Sequence, residues 1–536
     1  MLSRLADSFY GELQNPLLSR ILLGMKQKDS PDGSYLESFA GRRIHCVGIK
    51  GSGMAALAEM LKAAGALVSG SDVAQRFFTD ALLEAAGITP FVGFCAEHVP
   101  ADCDLLVYSA AYNPQENPEL LEAKRRNIHC LLYPQALGEL SAHVPSLAVA
   151  GTHGKTSTTG MMAVLMQELQ LSASALLGSV VPALGGHAVY RSKQGGLGAF
   201  FAAETCEYRR HFLSFHPNFI IITNIEADHL DYFRDEDDVQ QAFFQFCSRL
   251  PNGGSLIFCG DDTGARRLAK QLGQTRPDIQ SISYGFSADC DLRVQPGGQA
   301  GTFTLSGAGF AGEKYSLKVP GRHNMLNAAA VLAAVRIAVS SIRPDQVLPE
   351  PGSDEWVVLE QRGMLSFTGT RRRSELVGQV NDILIIDDYG HHPTEIRVTL
   401  EGIRERYPDR RLILDFMPHT YTRTESLWND FLDCFSVADE LWLHPVFASA
   451  REQRPSQEKV GRVGETNWAM QLPRDPEAAG RMLADSVHHQ SVRFFSSFSS
   501  AVDFAENELR PGDVFVTMGA GDNYEIGQSL LERLSH

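Results

Sequence analysis

Between Val149 and Thr159 the chain reads Val-Ala-Gly-Thr-His-Gly-Lys-Thr-Ser-Thr-Thr. Glycines, a lysine and hydroxyls at this spacing suit one task, holding a polyphosphate. Gly151, Thr152, His153 and Gly154 form a turn whose backbone N–H groups can face an anion. Lys155 can reach the outer phosphates, and a hydroxyl such as that of Thr156 or Ser157 can help to hold Mg²⁺. The spacing is not the usual one, since a Walker loop would place glycine at position 149, which is Val. The alternative is an ordinary strand-to-helix turn. Two other polar clusters follow apolar runs: Glu204 after Gly198–Ala203, and Asp228-His229 within Asn224-Ile-Glu-Ala-Asp-His-Leu-Asp231 after Asn218–Thr223. A hydroxyl, a carboxylate and an imidazole around a nucleotide suit Mg²⁺. Each acid could also be a plain helix cap.

These groups need strands that end at one place. Leu147–Ala150, Gly198–Ala203 and Asn218–Thr223 read as strands of a parallel α/β sheet, where ligands gather at the carboxyl ends. Upstream, Ile44–Gly48 is a strand, Gly48-Ile-Lys-Gly-Ser-Gly-Met54 a glycine turn, Ala55–Ala64 a helix and Leu67–Asp72 a second strand. That β-α-β unit offers an anion site at Gly51, Ser52 and Gly53, and places Asp72 to meet a ribose hydroxyl. Its spacing is GxxGxG rather than GxGxxG, so a plain tight turn is the rival reading. Leu105–Ser109 is a further strand with a polar end, and this section closes near Ser141–Pro145.

Residues 254–319 alternate short apolar runs with glycine turns, as antiparallel strands do. Pro320-Gly-Arg-His-Asn-Met-Leu-Asn-Ala then opens a helix on which Asn324 and Asn327 share a face; they could meet a nucleotide or cap the helix. After a Pro- and Gly-containing linker near 342–354, strands recur at Asp382–Asp387, Arg411–Met417, Glu440–His444 and Asp513–Thr517. Arg371-Arg372-Arg373 would usually be a solvated patch, but it sits at the entrance to this third section. At the amino terminus Leu13, Leu17, Leu18, Ile21 and Leu22 could form one helical stripe before a turn-rich stretch, which suggests a packed appendage.

Composition sets bounds. The 536 residues are 44% hydrophobic and 21% charged, as expected for two to four globular domains. A net charge of −16 argues against a general nucleic-acid binder but not against an enzyme with a basic cleft. Nine scattered cysteines with no CxxC pair fit a reducing compartment better than a disulfide framework or a zinc module. The first 30 residues resemble neither a signal peptide nor a membrane span. The apolar stretch Met325–Ile342 is broken by Asn327 and Arg336. A soluble cytoplasmic protein with no membrane partner is the expectation.

Four motifs, in order, resemble the Mur ligases of peptidoglycan synthesis: Gly-Thr-His-Gly-Lys-Thr (151–156), Asn-Ile-Glu-Ala-Asp-His-Leu-Asp (224–231), Gly-Arg-His-Asn-Met-Leu-Asn-Ala (321–328) and Asp-Asp-Tyr-Gly-His-His-Pro-Thr-Glu (387–395). The resemblance runs from about residue 42 to the end. It implies an α/β fold of three domains after an extension at 1–40. These are a Rossmann-like domain for a UDP-linked substrate (41–145), a central P-loop ATPase-type domain with a mixed sheet (146–350) and a Rossmann-like domain for an amino acid (360–536). The amino-terminal glycine turn, Asp-Tyr-Gly-His-His-Pro, and the absence of lysine between His229 and Gly253 favour the activity that adds L-alanine to the lactyl carboxylate of UDP-N-acetylmuramate. Members adding later residues carry a carbamylated lysine in that interval. A murein-recycling activity that adds a whole tripeptide is the alternative within the family. Outside it stand an NAD-dependent oxidoreductase built on the first β-α-β unit and a regulatory nucleotide binder.

The resemblance also implies roles. Residues 151–157 bind ATP phosphates, with Lys155 on the outer ones. Thr156, Glu204 and His229 hold Mg²⁺. Asn324, Asn327 and His392 face the nucleotide, and Arg373 and Asp388 complete the ATP site from the third domain. Tyr389, His391, His419 and Arg423 border the amino-acid pocket, with Arg423 on the alanine carboxylate. Gly51, Ser52, Gly53, Asp72 and Ser109 meet the UDP substrate. Three departures stand out: Lys50 and Ser52 where glycine and isoleucine are common, with Lys50 adding a charge; Glu-Thr-Cys-Glu-Tyr-Arg (204–209) where the family has Glu-Ala-Asp-Glu-Ser-Asp; and Thr420 at a position that is arginine in some members.

Overall fold

A computed structural model describes residues 38–191, 197–230, 232–343, 346–448 and 470–535. The leucine stripe expected before residue 37, and Asp231, lie outside the described residues. The first sheet contains β1 (Arg43–Val47), β2 (Leu67–Asp72), β3 (Phe91–Val92), β4 (Leu105–Tyr108) and β5 (His129–Leu132), all parallel, in the order β3-β2-β1-β4-β5. The order reverses between β1 and β4, and that switch point opens a crevice at their carboxyl ends. The turn after β1 fills it closely. Gly48 has φ +81°, and a Cβ there would lie 2.9 Å from the Ser109 side chain and 2.6 Å from the Tyr112 ring.

The second sheet comprises β6 (Ser146–Ala150), β7 (Ala173–Val181), β8 (His187–Arg191), β9 (Phe200–Glu204), β10 (Phe219–Ile222), β11 (Ser255–Cys259), β12 (Gln280–Gly285), β13 (Leu292–Pro296), β14 (Thr302–Gly307) and β15 (Phe310–Ser316). Its order is β15-β14-β13-β12-β11-β10-β6-β9-β7-β8. β6, β9 and β10 lie side by side and parallel, so their carboxyl ends meet. The antiparallel pattern expected over residues 254–319 holds only from Leu292 onward. β11 and β12 instead extend the parallel sheet, joined by a helix at Thr263–Thr275. Asp262 caps that helix by accepting from Ala265 N at 2.7 Å. Its buried residues Ala265, Leu268, Ala269 and Leu272 fall at helical, not strand, spacing.

The third sheet holds β16 (Glu375–Val380), β17 (Ile383–Asp388), β18 (Arg411–Phe416), β19 (Glu440–Leu443), β20 (Val492–Phe494) and β21 (Asp513–Met518), in the order β16-β17-β21-β18-β19-β20. Only its edge strand β16 is antiparallel to its neighbour. β16 and β20 were not apparent from the sequence, since neither has a fully buried residue and β20 is only three residues long.

The Arg322–Ile342 helix is long and apolar enough to cross a membrane by length and composition, yet most of it is buried inside the middle domain. Its one interrupting cation is neutralised in place. Arg336 donates through Nε and Nη2 to Glu360 at 2.7 and 2.6 Å, and Glu360 also accepts from Tyr315 Oη at 2.7 Å and Trp356 Nε1 at 2.6 Å. A buried pair stripped of one partner leaves an uncompensated charge, which costs about 3–5 kcal/mol. Arg336→Ala is therefore expected to lower the unfolding free energy of the intact chain, read from urea titration, by that order, whereas Arg404→Ala, an exposed pair with Asp439, should lower it by no more than about 1 kcal/mol.

Candidate active site

The loop after β6 turns on two glycines. At Gly151 (φ +140°) a Cβ would collide with the Thr223 hydroxyl, and at Gly154 (φ +82°) it would lie 3.0 Å from Asn327 Oδ1. The segment after β10 straps the loop down. Thr152 N donates to Asn224 O at 3.1 Å, His153 N to Asn224 Oδ1 at 2.8 Å, and Glu226 N to Thr152 Oγ1 at 2.9 Å. The Lys155–Glu168 helix starts directly after Gly154, which makes no side-chain cap, so its first N–H groups face the turn. Lys155 Nζ donates to Thr152 O at 3.0 Å and lies 3.1 Å from Glu207 Oε2. Burial disfavours its charge, but Glu207 outweighs burial and the lysine pKa is raised.

Thr156 Oγ1 donates to Glu204 Oε2 at 2.8 Å. Gly178 on the neighbouring strand makes room for this carboxylate, with which any Cβ would collide. Burial raises the Glu204 pKa, and it has no ion-pair partner among the described residues. A carboxylate that keeps a raised pKa although Lys155 and Arg373 act on it, beside a hydroxyl, fits a hard divalent ion. His229, at φ +54°, lies 3.7 Å from Glu207 Oε1 and 3.7 Å from Asp228 Oδ2. Its ring packs on Tyr208 at 4.8 Å, and Tyr208 leads into two non-glycine residues in the left-handed region, Arg209 (φ +51°) and Arg210 (φ +57°).

The third domain closes over the loop. Asn324, Asn327, Ser157, Gly154, Arg373 and Asp388 line a cavity of about 140 Å³. Asn327 Nδ2 donates to Asn324 Oδ1 at 3.3 Å, which settles their shared face. Arg373 lies 3.3 Å from Glu395. Asp388 accepts from Ser374 N at 2.6 Å and Gly390 N at 2.7 Å; burial pushes its pKa up to about 6 despite Arg373. His153 stands between Glu395 (3.2 Å from Nδ1) and Glu226 (3.5 Å from Nε2). Burial opposes a charged ring there, yet the two carboxylates outweigh it and raise the pKa to about 9.

His392 is beside His153, with ring centroids 4.6 Å apart, and its Nδ1 accepts from Thr394 N at 3.2 Å. His153, Glu226 and His392 present ligand atoms within 4.8 Å of one another. A charged His153 and an occupied His392 lone pair make this an ionic link between domains rather than a cation pocket. Thr394 Oγ1 adds a hydrogen bond to Glu226 at 2.9 Å.

On the far side, the ring of His391 is 5.3 Å from that of Tyr389 and 5.6 Å from that of His419. Arg423 donates to Asp228 Oδ1 at 3.0 Å through Nη2 and approaches His419 Nδ1 at 3.1 Å through Nη1. Burial and then Arg423 hold His391 well below the usual histidine range. Burial alone would raise the Asp228 pKa, but His229 and Arg423 bring it well below the usual carboxylate range.

Two charged side chains hold the amino-terminal turn in place. Asp72 braces the turn, accepting from Lys50 N at 2.7 Å, Val73 N at 2.8 Å and Tyr112 Oη at 2.9 Å. The charge that Lys50 was expected to add to the anion site is spent on Asp80 at 3.0 Å, with Gln75 O at 2.8 Å. Gly51, Ser52 and Gly53 remain at an uncapped helix start. Ser109 sits across from Gly48, its Oγ accepting from Ala111 N at 3.3 Å.

Sequence reading missed Glu207, Glu226 and Glu395, the acids that set the charge of Lys155 and His153. All three lie inside the quoted motifs or departures, so the signal was present without a partner to interpret it. Because the folded pKa of His153 lies above its ordinary value of 6.5, its contribution to stability is complete below about pH 6.5 and lost as pH rises through about 9. The melting temperature of the wild type should fall across that window more steeply than that of His153→Gln, measured by scanning fluorimetry.

Comparison with known proteins agrees with this geometry. Three family profiles match in succession: "Mur ligase family, catalytic domain" over residues 43–144, "Mur ligase middle domain" over 149–335 and "Mur ligase, glutamate ligase domain" over 372–521. A curated UDP-N-acetylmuramate–L-alanine ligase of Treponema pallidum (strain Nichols) is 42% identical, covering 93% of this chain and 98% of its own. That of Desulfitobacterium hafniense (strain Y51) is 40% identical, covering 91% and 99%. In fold, the chain is similar to UDP-N-acetylmuramate-alanine ligase from Thermotoga maritima, with TM-score 0.70 and 23% identity over 92% of this chain and 99% of that one. It is also similar to a murein peptide ligase from Psychrobacter arcticus, with TM-score 0.63 and 24% identity over the same shares. Three consecutive domains, with relatives at this identity over nearly their whole length, place the chain in the Mur ligase family.

Proposed function

We propose that this chain joins L-alanine to the lactyl carboxylate of UDP-N-acetylmuramate, using ATP, in the synthesis of peptidoglycan precursors. The relatives at 40–42% identity over more than nine tenths of the chain carry this reading. The geometry supports it through Asp228, which lies between His229 on the phosphate side and Arg423 on the amino-acid side. A phosphorylated carboxylate and an amine can therefore meet at one point. The amino-terminal crevice would take the UDP moiety at Gly51–Gly53, the middle domain ATP, and the third domain alanine. All nine cysteines are free, which supports a cytoplasmic enzyme.

In the proposed reaction a lactyl oxygen attacks the γ-phosphorus and ADP leaves, giving an acyl phosphate. The alanine nitrogen attacks the acyl carbon, and the tetrahedral intermediate expels phosphate to leave the amide. Lys155, with its charge maintained by Glu207, would stabilise the transferring phosphoryl group. Thr156, Glu204 and His229 would hold magnesium, which when bound offsets phosphate charge. Arg373 and Asp388 would complete the nucleotide site on domain closure, and the closed crevice would keep water from the acyl phosphate. The amine must lose a proton. His391 suits this role because it is held neutral, and because its Nδ1 bonds to Tyr389 O at 2.9 Å. That contact leaves Nε2 with the lone pair.

Phosphate release measured with ATP, Mg²⁺, UDP-N-acetylmuramate and L-alanine, omitting each in turn, tests the reading. Turnover should need all four. Dependence on the tripeptide instead of alanine would favour the recycling reaction, and a nicotinamide requirement would favour an oxidoreductase. Lys155→Ala should cut kcat by about 10³-fold or more. His391→Asn should cost about 10²-fold near neutrality, with the deficit shrinking as alkaline pH deprotonates alanine directly; a pH-independent deficit would remove His391 from this role.

A further inference from the structure

We infer that the Tyr133 hydroxyl contacts the carboxyl-bearing arm of the UDP-linked substrate where that arm crosses from the amino-terminal turn to the phosphate-binding loop. The inference rests on the function proposed above. Tyr133 opens the Tyr133–His143 helix immediately after β5. Its hydroxyl end lies over Gly53, in the first turn of the helix that follows the amino-terminal glycine turn. A Cβ at Gly53 would collide with Tyr133 Oη and would lie 2.6 Å from Cζ and 3.1 Å from Cε1. Glycine at position 53 therefore admits the phenol as well as an anion. The helix that Tyr133 opens packs on the segment that follows Glu204 and Cys206, where a Cβ at Gly138 would collide with Ser214 O, and the phenol is near enough to feel both groups. One hydroxyl thus lies between the site for the diphosphate and the site for the γ-phosphate, on elements of two different domains.

The chemistry at that point favours a neutral donor. An ordinary phenol, with a pKa of about 10, keeps its proton on oxygen throughout the working range. Tyr133 Oη has no hydrogen-bond partner among the described residues. A substrate carboxylate entering here faces Glu204 and Glu207, both acidic. A second cation would pair with those acids, as Lys155 already does with Glu207. A phenol donates to the incoming carboxylate without being captured in that way. The role is one of specificity, since it recognises the lactyl arm rather than the nucleotide.

Tyr133→Phe retains the ring against Gly53 and removes only the hydroxyl. The expected result is a kcat/KM for UDP-N-acetylmuramate lowered about tenfold or more, the effect of one hydrogen bond to a charged group. KM for ATP and for L-alanine should stay within about twofold. UDP-N-acetylglucosamine, which lacks the lactyl arm, should inhibit wild type and variant with the same constant. An unchanged kcat/KM, or an equal loss in UDP-N-acetylglucosamine binding, would overturn the inference. A melting temperature equal to wild type separates either outcome from misfolding; should the variant melt lower, Tyr133→Met provides a second hydroxyl-free side chain. If the wild type releases no alanine-dependent phosphate, the proposed function fails. Calorimetric binding of the two UDP-sugars to both proteins would then still decide the role of Tyr133.

Discussion

The site depends on balancing carboxylates inside a closed crevice. Glu204, Glu207, Glu226, Asp228 and Glu395 come from the ends of β9 and β10 and from the third domain, and each is largely buried or turned into the crevice. In a medium of low dielectric these charges cannot stand alone. Lys155 meets Glu207, His153 meets Glu226 and Glu395, Arg423 meets Asp228, and Arg373 meets Glu395. Positions of these cations are therefore set by acids on other elements, and two of these pairings cross between domains. Nucleotide phosphates bring several negative charges into the same space. In the proposed function, binding would be an exchange of partners, in which Lys155 and Arg373 turn partly from carboxylates to phosphate. Such an exchange makes domain closure and phosphate binding parts of one equilibrium.

Much of this was legible in the sequence because its signals are local. A strand, two glycines and a Lys-Thr pair specify a tight strand-to-helix turn from a dozen residues, and the structure builds that turn from Gly151 and Gly154 at positive φ. The shared face of Asn324 and Asn327 follows from helical spacing alone. What escaped depends on tertiary partners. Glu207 reads as one acid among several until Lys155 is 3.1 Å away. Lys50 reads as extra charge for an anion until Asp80 neutralises it. Asp72 reads only as a ribose ligand, whereas it also accepts from Lys50 N, Val73 N and Tyr112 Oη. The helix at Thr263–Thr275 is a different miss. Its Ala265, Leu268, Ala269 and Leu272 have the right period, but surrounding glycine turns drew the reading toward strands.

The departure at residues 204–209 acquires a physical account. Tyr208 replaces a small polar residue of the family pattern, and its ring supports His229 from one face at 4.8 Å. Arg209 and Arg210 then take up the left-handed backbone that lets the chain turn away below that ring. Arg210 is anchored by Asp238 at 2.6 Å and lies over the Phe233 ring. A strained pair of non-glycine residues persists only where its surroundings hold it. Here the hold comes from Phe233 and Asp238, which both follow the His229 segment.

Asp228 ties the two halves of the chemistry together. One carboxylate faces His229, beside the proposed metal, and Arg423, beside the proposed amino-acid carboxylate. Any change in charge on one side alters what Asp228 offers the other. If magnesium and phosphate draw His229 away, Asp228 has more of its charge to give Arg423, and that lowers the affinity of Arg423 for a second carboxylate. If an amino acid engages Arg423, Asp228 is released toward His229. Coupling of this kind is reciprocal. Through Asp228, then, the metal side and the amino-acid side each weaken the other's hold. Thr420, which caps the helix carrying Arg423 and stands where some members have arginine, leaves this one guanidinium to answer both demands.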